Sequence, residues 1–283
     1  MKLRKVSAAA AAAVALALTV SACGSGKKDD ASGSGSAGGG DKITIGIKID
    51  QPGIGLKTPD GKYTGFDVEV AKYVAKELGY DEGDIEFKET KSADRETAIS
   101  RGDVKFIVAS YSINDERLQK VDFAGPYLLA HQDILVRADD SSITKPEDLN
   151  SKKLCSVTGS TSAKNVKEKL APKAQLQEYG GYSECLTGLE NKVVDALTTD
   201  DSILAGYASQ DAFKGKFKLA GFKMSNENYG IGLKKGDTEL KDKINKALEK
   251  MVSDGSWQKA VDANFGPAGY KNEPAPKIGN IVK

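Results

Sequence analysis

The amino-acid sequence predicts an α/β fold with two lobes, each a mostly parallel sheet flanked by helices. Short apolar segments that suit strands alternate with longer amphipathic segments that suit helices along most of the 283 residues. Two further segments, residues 132–137 and 223–227, are placed to carry the chain into the second lobe and back. Because two crossings make a hinge, we expect the ligand site in the cleft between the lobes.

The first lobe opens with a strand in which apolar residues alternate with others, and which ends at a Pro-Gly turn. The helix after it places Ala71, Val74 and Leu78 on one face and stops before Gly79, which suits the position just beyond a helix. The predicted elements are a strand at 42–49, a helix at 67–78, a strand at 85–89, a helix from about 91–95 to 102, and a strand at 104–109.

Strands and helices also alternate through the second lobe, and the chain then returns to an amphipathic helix with Leu240, Ile244, Leu248 and Met251 facing inward. The last residues have no such pattern, and we expect a loose tail. The predicted elements are strands at 153–157, 174–178, 193–200, 217–222 and 228–233, helices at 163–170, 183–190, 202–208 and 238–253, a short helix holding Trp257, and a tail at 274–283.

A buried strand, residues 104–109, runs directly into polar residues, which is where a ligand binds in an open α/β sheet. The planar fork of Arg117 matches a carboxylate, and Ser110 and Ser112 can pair with an ammonium group or with the second carboxylate oxygen. The alternative is a solvated helix start, since residues 114–116 are Asn-Asp-Glu and explain a helix N-terminus by themselves. The residues alone leave both interpretations open.

Two signatures resemble the family 3 extracellular solute-binding proteins, the amino-acid-binding components of ABC importers. In one, a strand and a Ser/Thr loop precede Glu116-Arg117 and a Val-Asp-Phe run that ends in Pro-Tyr127; in the other, residues 65–78 follow a Gly-aromatic-acid-apolar-acid pattern. The resemblance covers about residues 42–266 and implies a type II periplasmic-binding-protein-like fold in a monomer. The expected bounds are 42–131 and 227–270 for lobe 1, 132–226 for lobe 2 and 271–283 for a tail.

The resemblance also implies a set of ligand contacts. Ser160 and Thr161 match the loop that binds the carboxylate end of the ligand, although a simple N-cap is the alternative. Asp200 matches the acid that holds the ligand's ammonium group, with Asp201 free to cap the next helix. The side chain of the ligand is expected to face Lys48, Gln51, Ser92 and Arg95, where Ser92 replaces the aromatic residue that is common in the family.

The N-terminus has the composition of a lipoprotein signal peptide at residues 1–22, with a basic start, an apolar core and Val-Ser-Ala-Cys23 as a lipobox. A membrane-spanning anchor is the alternative, but the apolar run is shorter than the roughly 20 residues that a spanning helix needs. We expect Cys23 to be lipidated and residues 23–41 to form a flexible tether at the outer face of the cell membrane.

Cys155 and Cys185 remain as a pair once Cys23 carries lipid, and an exported chain favours a disulfide between them. No cofactor or metal site is expected, since the single histidine, His131, has no imidazole partner and is interpreted as a structural or hinge residue. Without residues 1–22 the chain has 38 basic and 40 acidic residues, because 3 of the 41 basic residues lie in that segment, and this near-neutral balance argues against nucleic acid as a partner.

The predicted function is binding of an acidic amino acid, glutamate before aspartate or glutamine, for delivery to an ABC permease. A buried Lys48 without an acidic partner would be costly, whereas a γ-carboxylate would pair with it, and residues 46–53 and 157–163 look like glutamate-binding lipoproteins of high-GC Gram-positive importers. Presentation of the ligand to a sensor is an alternative. An enzyme on the same fold, such as a dehydratase or lytic transglycosylase, is another, and would need an acid poised for proton transfer.

Overall fold

The computed structural model describes residues 42–283. The predicted signal peptide, Cys23 and the tether lie outside the described residues. We use lobe 1 for residues 42–131 and 227–270 and lobe 2 for residues 132–226, following the predicted bounds.

The first part of lobe 1 contains a small three-stranded sheet beside the main one, and three helices. The elements are β1 (Ile43–Ile47), β2 (Asp50–Gln51), β3 (Gly55–Lys57), β4 (Tyr63–Thr64), α1 (Phe66–Glu77), β5 (Ile85–Glu89), α2 (Arg95–Arg101), β6 (Phe106–Val108), α3 (Asp115–Lys120) and the long strand β7 (Asp122–Arg137).

Lobe 2 follows, and the chain then returns to lobe 1. The elements are β8 (Lys153–Val157), α4 (Thr161–Asn165), β9 (Gln175–Tyr179), α5 (Tyr182–Glu190), β10 (Ala196–Asp200), α6 (Asp201–Ala208), β11 (Phe217–Leu219), β12 (Asn226–Leu233), α7 (Thr238–Ser253) and α8 (Ser256–Phe265). Short 3₁₀ or π segments lie at Glu82–Asp84, Pro146–Ser151, Val166–Leu170 and Gly266–Ala268.

The main sheet has the strand order β5-β1-β6-β12-β7-β10-β8-β9, with β11 also paired to β7. In lobe 1, β1 is parallel to both β5 and β6, and Ile45 is in register with Phe87 and Phe106. In lobe 2, β8 is parallel to both β9 and β10. Parallel sheets need cover on both faces, and β6 is accordingly buried at every residue. The predicted α/β class is confirmed. The main sheet is mixed rather than mostly parallel, because the pairs β6–β12, β12–β7, β7–β10 and β7–β11 are antiparallel.

Strand β7 passes through both lobes. Its first part pairs with β12 up to His131, and its last part pairs with β10 from Gln132 onward. The sequence predicted a strand only at residues 132–137. That prediction was too short, since the register of β12 against β7 shifts between Tyr229 and Ile231 and such an irregularity accommodates a strand residue that cannot donate.

The C-terminal residues are fixed against β12 rather than loose, and that expectation was wrong. The side-chain amide of Asn228 donates to the Val282 carbonyl at 2.9 Å and accepts from the Val282 amide at 3.0 Å. The Gly279 amide donates to the Gly125 carbonyl at 2.9 Å. The composition of this segment gave no sign of these contacts, because its partners lie some 50 to 150 residues earlier in the chain.

Two predicted features of packing are confirmed. Helix α7 spans residues 238–253 as expected and buries Leu240, Ile244, Leu248 and Met251. Cys155 in β8 and Cys185 in α5 form a disulfide with a Cα–Cα distance of 5.5 Å. The disulfide joins a strand to a covering helix within lobe 2.

Replacing Cys155 and Cys185 with alanine should lower the free energy of unfolding by about 3–4 kcal/mol, because the disulfide closes a loop with a sequence separation of 30 and restricts the unfolded chain. Urea denaturation of the soluble chain from residue 41, with and without the two substitutions, measures the change. Equal midpoints and slopes would contradict the prediction.

Candidate functional site

The cleft residues come from strand ends and loops on both sides. Lys48 follows β1, and Ser110 and Ser112 follow β6 in lobe 1. Ser160 follows β8, and Asp200 ends β10 in lobe 2. Because the carboxyl ends of the parallel strands in each lobe point toward the other lobe, the fold brings these residues together.

Arg117 joins the two lobes. Its Nη1 donates to the Ser112 carbonyl at 2.7 Å in lobe 1, and its Nη2 donates to the Gly159 carbonyl at 3.1 Å in lobe 2. The guanidinium also lies 5.0 Å from the centroid of the Tyr111 ring, and its Nε is 3.7 Å from a carboxylate oxygen of Glu96. Each terminal nitrogen of an arginine carries two N–H groups, so each one keeps a donor for a carboxylate after these bonds.

The alternative of an ordinary helix start accounts for Asn114 but not for the buried side chain of Arg117. The Asn114 side chain accepts from the Arg117 amide at 2.9 Å and caps α3. The Arg117 side chain is only 7% exposed, which is unusual for a surface arginine.

A second cationic corner contains Lys48, Ser92 and Arg95. The buried Lys48 ammonium donates to Ser92 Oγ at 2.9 Å, and no carboxylate of the described residues lies within 4 Å of Lys48 or Arg95. Burial, and secondly the charge of Arg95, lower the pKa of Lys48 to about 7. Arg95 stacks on Tyr111 at 4.0 Å and donates to the Ala109 carbonyl at 3.0 Å, while burial lowers its pKa to about 10.

Asp67 fixes the turn at the end of β6. Ser110 has a φ of 44°, a left-handed conformation that is uncommon for a residue other than glycine. The Asp67 carboxylate accepts from the Ser110 amide at 2.6 Å and from the Tyr127 hydroxyl at 2.8 Å. Burial raises the pKa of Asp67 to about 7. The signature acid therefore has a structural role in supporting this turn.

Gln51 lies beside this turn. Its side-chain oxygen accepts from Ser110 Oγ at 3.1 Å, and its Nε2 has no hydrogen-bond partner although it is fully buried. Only two other buried side-chain polar atoms of residues 42–283 lack a partner, Arg95 Nε and Thr199 Oγ1. All three lie next to predicted ligand residues, and unpaired buried polar groups of this kind are typical of a binding site.

Asp200 and Asp201 point in different directions. The buried Asp200 carboxylate accepts from the Tyr229 hydroxyl at 2.5 Å and from Ser162 Oγ at 3.5 Å. Burial, and secondly the charge of Glu227, raise the pKa of Asp200 well above its usual range. The Asp201 carboxylate instead accepts from the His131 amide at 3.0 Å and the Tyr270 hydroxyl at 2.9 Å. Asp200 thus belongs to the cleft and Asp201 to the hinge.

The hydroxyls of Ser160 and Thr161 are both engaged by protein groups. Ser160 Oγ accepts from the Ala163 amide at 3.0 Å and caps α4, as the N-cap alternative expects. Thr161 Oγ1 donates to Glu227 at 2.9 Å. A cavity of about 430 Å³ is lined by both residues together with Ser92, Arg117 and Gly159, at the edge where the two lobes meet.

Sequence reasoning missed Tyr182, Thr199, Glu227 and Tyr229. All four are buried, and Glu227 and Tyr229 lie in the crossing strand β12. Glu227 carried the one available signal, because it is an acid at the start of a strand that is buried from residue 227 onward. The other three are tyrosine or threonine residues within helices and strands, and nothing in the sequence distinguishes them from ordinary core residues.

The fold and the site are those of a two-lobed solute-binding protein. The chain belongs to the bacterial extracellular solute-binding proteins, family 3, which it matches over residues 43–267. This confirms the family that the two signatures predicted and places the protein outside the cytoplasm.

Named relatives and solved structures agree with this assignment. The chain is 50% identical over 234 residues to the glutamate-binding protein GluB of Corynebacterium efficiens, covering 79% of each chain. It is 41% identical over 219 residues to the ABC transporter glutamine-binding protein GlnH of Bacillus subtilis, covering 77% of this chain and 78% of that one. Its structure is similar to an ancestral arginine-binding protein bound to arginine, with a TM-score of 0.74, 36% identity and coverage of 80% and 99% of the two chains.

Proposed function

We propose that this protein binds glutamate between its lobes and delivers it to the permease of an ABC importer. The observation that carries the proposal is the buried Lys48 ammonium, which has a serine hydroxyl and a neighbouring arginine beside it but no carboxylate within 4 Å. The carboxylates of Asp50 and Glu89 act on it only from farther away. A ligand carboxylate would supply the partner that the protein does not.

The three charged groups of glutamate fit three parts of the cleft. The α-carboxylate pairs with the free donors of Arg117, and the ammonium group pairs with Asp200. The γ-carboxylate then reaches the corner of Lys48, Ser92 and Arg95. Gln51, Ser110 and Ser112 line the space between these ends, and Ser160 and Thr161 close it from lobe 2.

Charge distinguishes glutamate from the ligands of other relatives. Glutamine would leave Lys48 without an anionic partner, and an arginine side chain would bring a third cation to Lys48 and Arg95. The chain is similar to a glutamate-binding relative and to a glutamine-binding relative, and its sequence identity to the glutamate-binding relative is higher. Aspartate carries the same charges, and the choice of glutamate over aspartate comes from that relative.

Lys48→Met should weaken glutamate binding by roughly 2–5 kcal/mol and narrow the preference over glutamine, because removal of one partner leaves the other charge buried and unpaired. Isothermal titration calorimetry with glutamate, aspartate and glutamine measures both effects. Lys76→Met is the matched control, since Lys76 is exposed on α1 and should leave affinity unchanged.

Two results would contradict the side-chain assignment. One is a Lys48→Met variant that binds glutamate as tightly as the parent does, and the other is a parent that prefers glutamine. Neither result would affect the proposed pairing of Arg117 and Asp200 with the common part of an amino acid.

Relative to Lys48→Met, the parent should lose glutamate affinity as the pH rises above 7, because burial lowers the pKa of Lys48 to about 7 and an adjacent carboxylate raises it. Below pH 7 Lys48 is already charged and the affinity does not depend on it. Above pH 7 binding takes up a proton, and the affinity decreases by up to about tenfold per pH unit.

Calorimetry between pH 6 and pH 9, in buffers of different ionisation enthalpy, measures this uptake. Lys48→Met is the control, since loss of the ligand's own ammonium proton affects both proteins equally. Identical profiles in the parent and in Lys48→Met would exclude Lys48 as the group that binds the γ-carboxylate.

We also infer that the mature protein is held at the outer face of the membrane by lipid on Cys23. The lipobox and the tether composition support this attachment. In residues 42–283, no helix combines the length and the hydropathy that a membrane span requires. A lipid anchor keeps the ligand-loaded protein close to a permease, and it would equally serve a sensor.

Cys23→Ser should release the protein from the membrane or leave it unprocessed, without changing its affinity for glutamate. Fractionation of cells and medium, with detection of the mature and precursor forms, distinguishes these outcomes. A mature variant that stays in the membrane fraction would show that the anchor is not lipid on Cys23. Deletion of the whole protein should reduce glutamate uptake if it serves transport rather than sensing.

A further inference from the structure

Three glycines of lobe 2 face loops of lobe 1 at very short distances. A Cβ atom at Gly206 would lie 2.0 Å from the Pro52 carbonyl oxygen, and one at Gly181 would lie 2.6 Å from Asp50 Oδ2. A Cβ atom at Gly159 would lie 2.8 Å from the Ala93 Cα. These are the positions at which the two lobes approach each other with no room for a side chain.

The loop that Gly206 meets is held rigidly in lobe 1. The Ile54 amide donates to the Gln51 carbonyl at 3.0 Å, and the Phe66 amide donates to the Gly53 carbonyl at 3.0 Å. The obstacle at Gly206 is therefore backbone that is tied to the lobe 1 core, and it cannot rotate away as a side chain can.

The same loop carries two of the polar contacts between the lobes. The Tyr182 amide at the start of α5 donates to Asp50 Oδ2 at 2.9 Å, and the Tyr207 hydroxyl in α6 donates to the Asp50 carbonyl. Both contacts require α5 and α6 to approach the Asp50–Pro52 segment closely. A glycine at 206, one residue before Tyr207, permits this approach.

Nothing within lobe 2 requires glycine at position 206. The residue lies inside α6 and does not have a left-handed φ, and the three atoms nearest to an added Cβ all belong to Pro52. Alanine is the better helix former of the two residues. The reason for glycine at this position is therefore the contact with lobe 1.

We propose that Gly206 controls the closure of the two lobes and thereby sets the affinity for the ligand. The inference rests on the proposed function only in using ligand binding as its readout. Arg117 and Lys48 belong to lobe 1 and Asp200 to lobe 2, so a ligand reaches all of its partners only in the closed arrangement. A methyl group at position 206 holds α6 away from Pro52 and makes that arrangement rare, which weakens binding in proportion.

A graded series of alanine variants tests the proposal. Gly206→Ala meets backbone, whereas Gly181→Ala meets the end of the flexible Asp50 side chain. Gly188→Ala is the matched control, because it lies in α5 and its Cβ would meet only Val194 of its own lobe, at 3.5 Å. Gly159 is unsuitable, because its φ of 78° strains any other residue.

Calorimetry with the protein amino acids, thermal unfolding without ligand, and small-angle X-ray scattering with and without ligand are measured on each variant. We expect Gly206→Ala to bind glutamate on the order of 100-fold more weakly, Gly181→Ala to lose less than about tenfold, and Gly188→Ala to match the parent. The unfolding temperature of ligand-free Gly206→Ala should equal or exceed that of the parent. At a ligand concentration that reduces the radius of gyration of the parent, the radius of gyration of Gly206→Ala should stay unchanged.

Binding by Gly206→Ala within about threefold of the parent would overturn the proposal, as would full compaction of that variant at the ligand concentration that compacts the parent. If Gly206→Ala does not fold, Gly181→Leu replaces it in the test, because Gly181 has an extended backbone that accepts a side chain. This variant should bind glutamate more weakly without a loss of thermal stability. Unchanged affinity of Gly181→Leu would overturn the proposal. A parent that binds a different amino acid would contradict the glutamate assignment alone, since closure is then measured with that amino acid. A parent that binds no amino acid would overturn both.

Discussion

The Arg117 guanidinium is the interaction on which the arrangement of the cleft depends, because it is hydrogen-bonded to both lobes at once. One terminal nitrogen is fixed to Ser112 at the end of β6, and the other to Gly159 in the loop after β8. A planar group with five donors can make these bonds and still present two parallel donors to a carboxylate, whereas a lysine could not. The residue that we propose for the ligand carboxylate therefore also links the two lobes. It can do both only when the lobes are closed.

Burial acts on the two ends of the cleft in opposite directions. It lowers the pKa of Lys48 and raises that of Asp200, so that each group is pushed toward its neutral form. Neither has a partner of opposite charge within 4 Å among residues 42–283, and the two lie in different lobes. A site of this kind is costly to the protein alone, and a solute that carries a carboxylate at one end and an ammonium group at the other reduces the cost. Selectivity follows from that deficit, because a solute with the wrong charges leaves it in place.

The sequence was informative where the functional residues lie close together along the chain. The strand, Ser/Thr loop and Arg117 lie within 20 residues, and the acid at Asp67 begins a recognisable helix pattern; family, fold and most cleft residues follow from these segments. It was uninformative where the contact depends on residues far apart in the chain. Tyr229 reaches Asp200 from a strand 29 residues later, and Asn228 holds Val282 54 residues later. The full length of β7 was missed for the same reason, because a proline is acceptable there only through the irregular pairing of β12.

The two neighbouring acids at the start of α6 connect the ligand site to the hinge. Asp200 accepts hydrogen bonds inside the cleft, and Asp201 accepts from His131 in one crossing strand and from Tyr270 after the last helix. One peptide bond joins them, so the carboxylate that faces the solute cannot shift without moving the residue that holds the hinge. Gly206 lies further along the same short helix, so the segment from Asp200 to Gly206 contains the acid in the cleft, the hinge contact and a residue in close contact with lobe 1. The coupling of closure and binding that we propose therefore rests on one continuous segment that takes part in both.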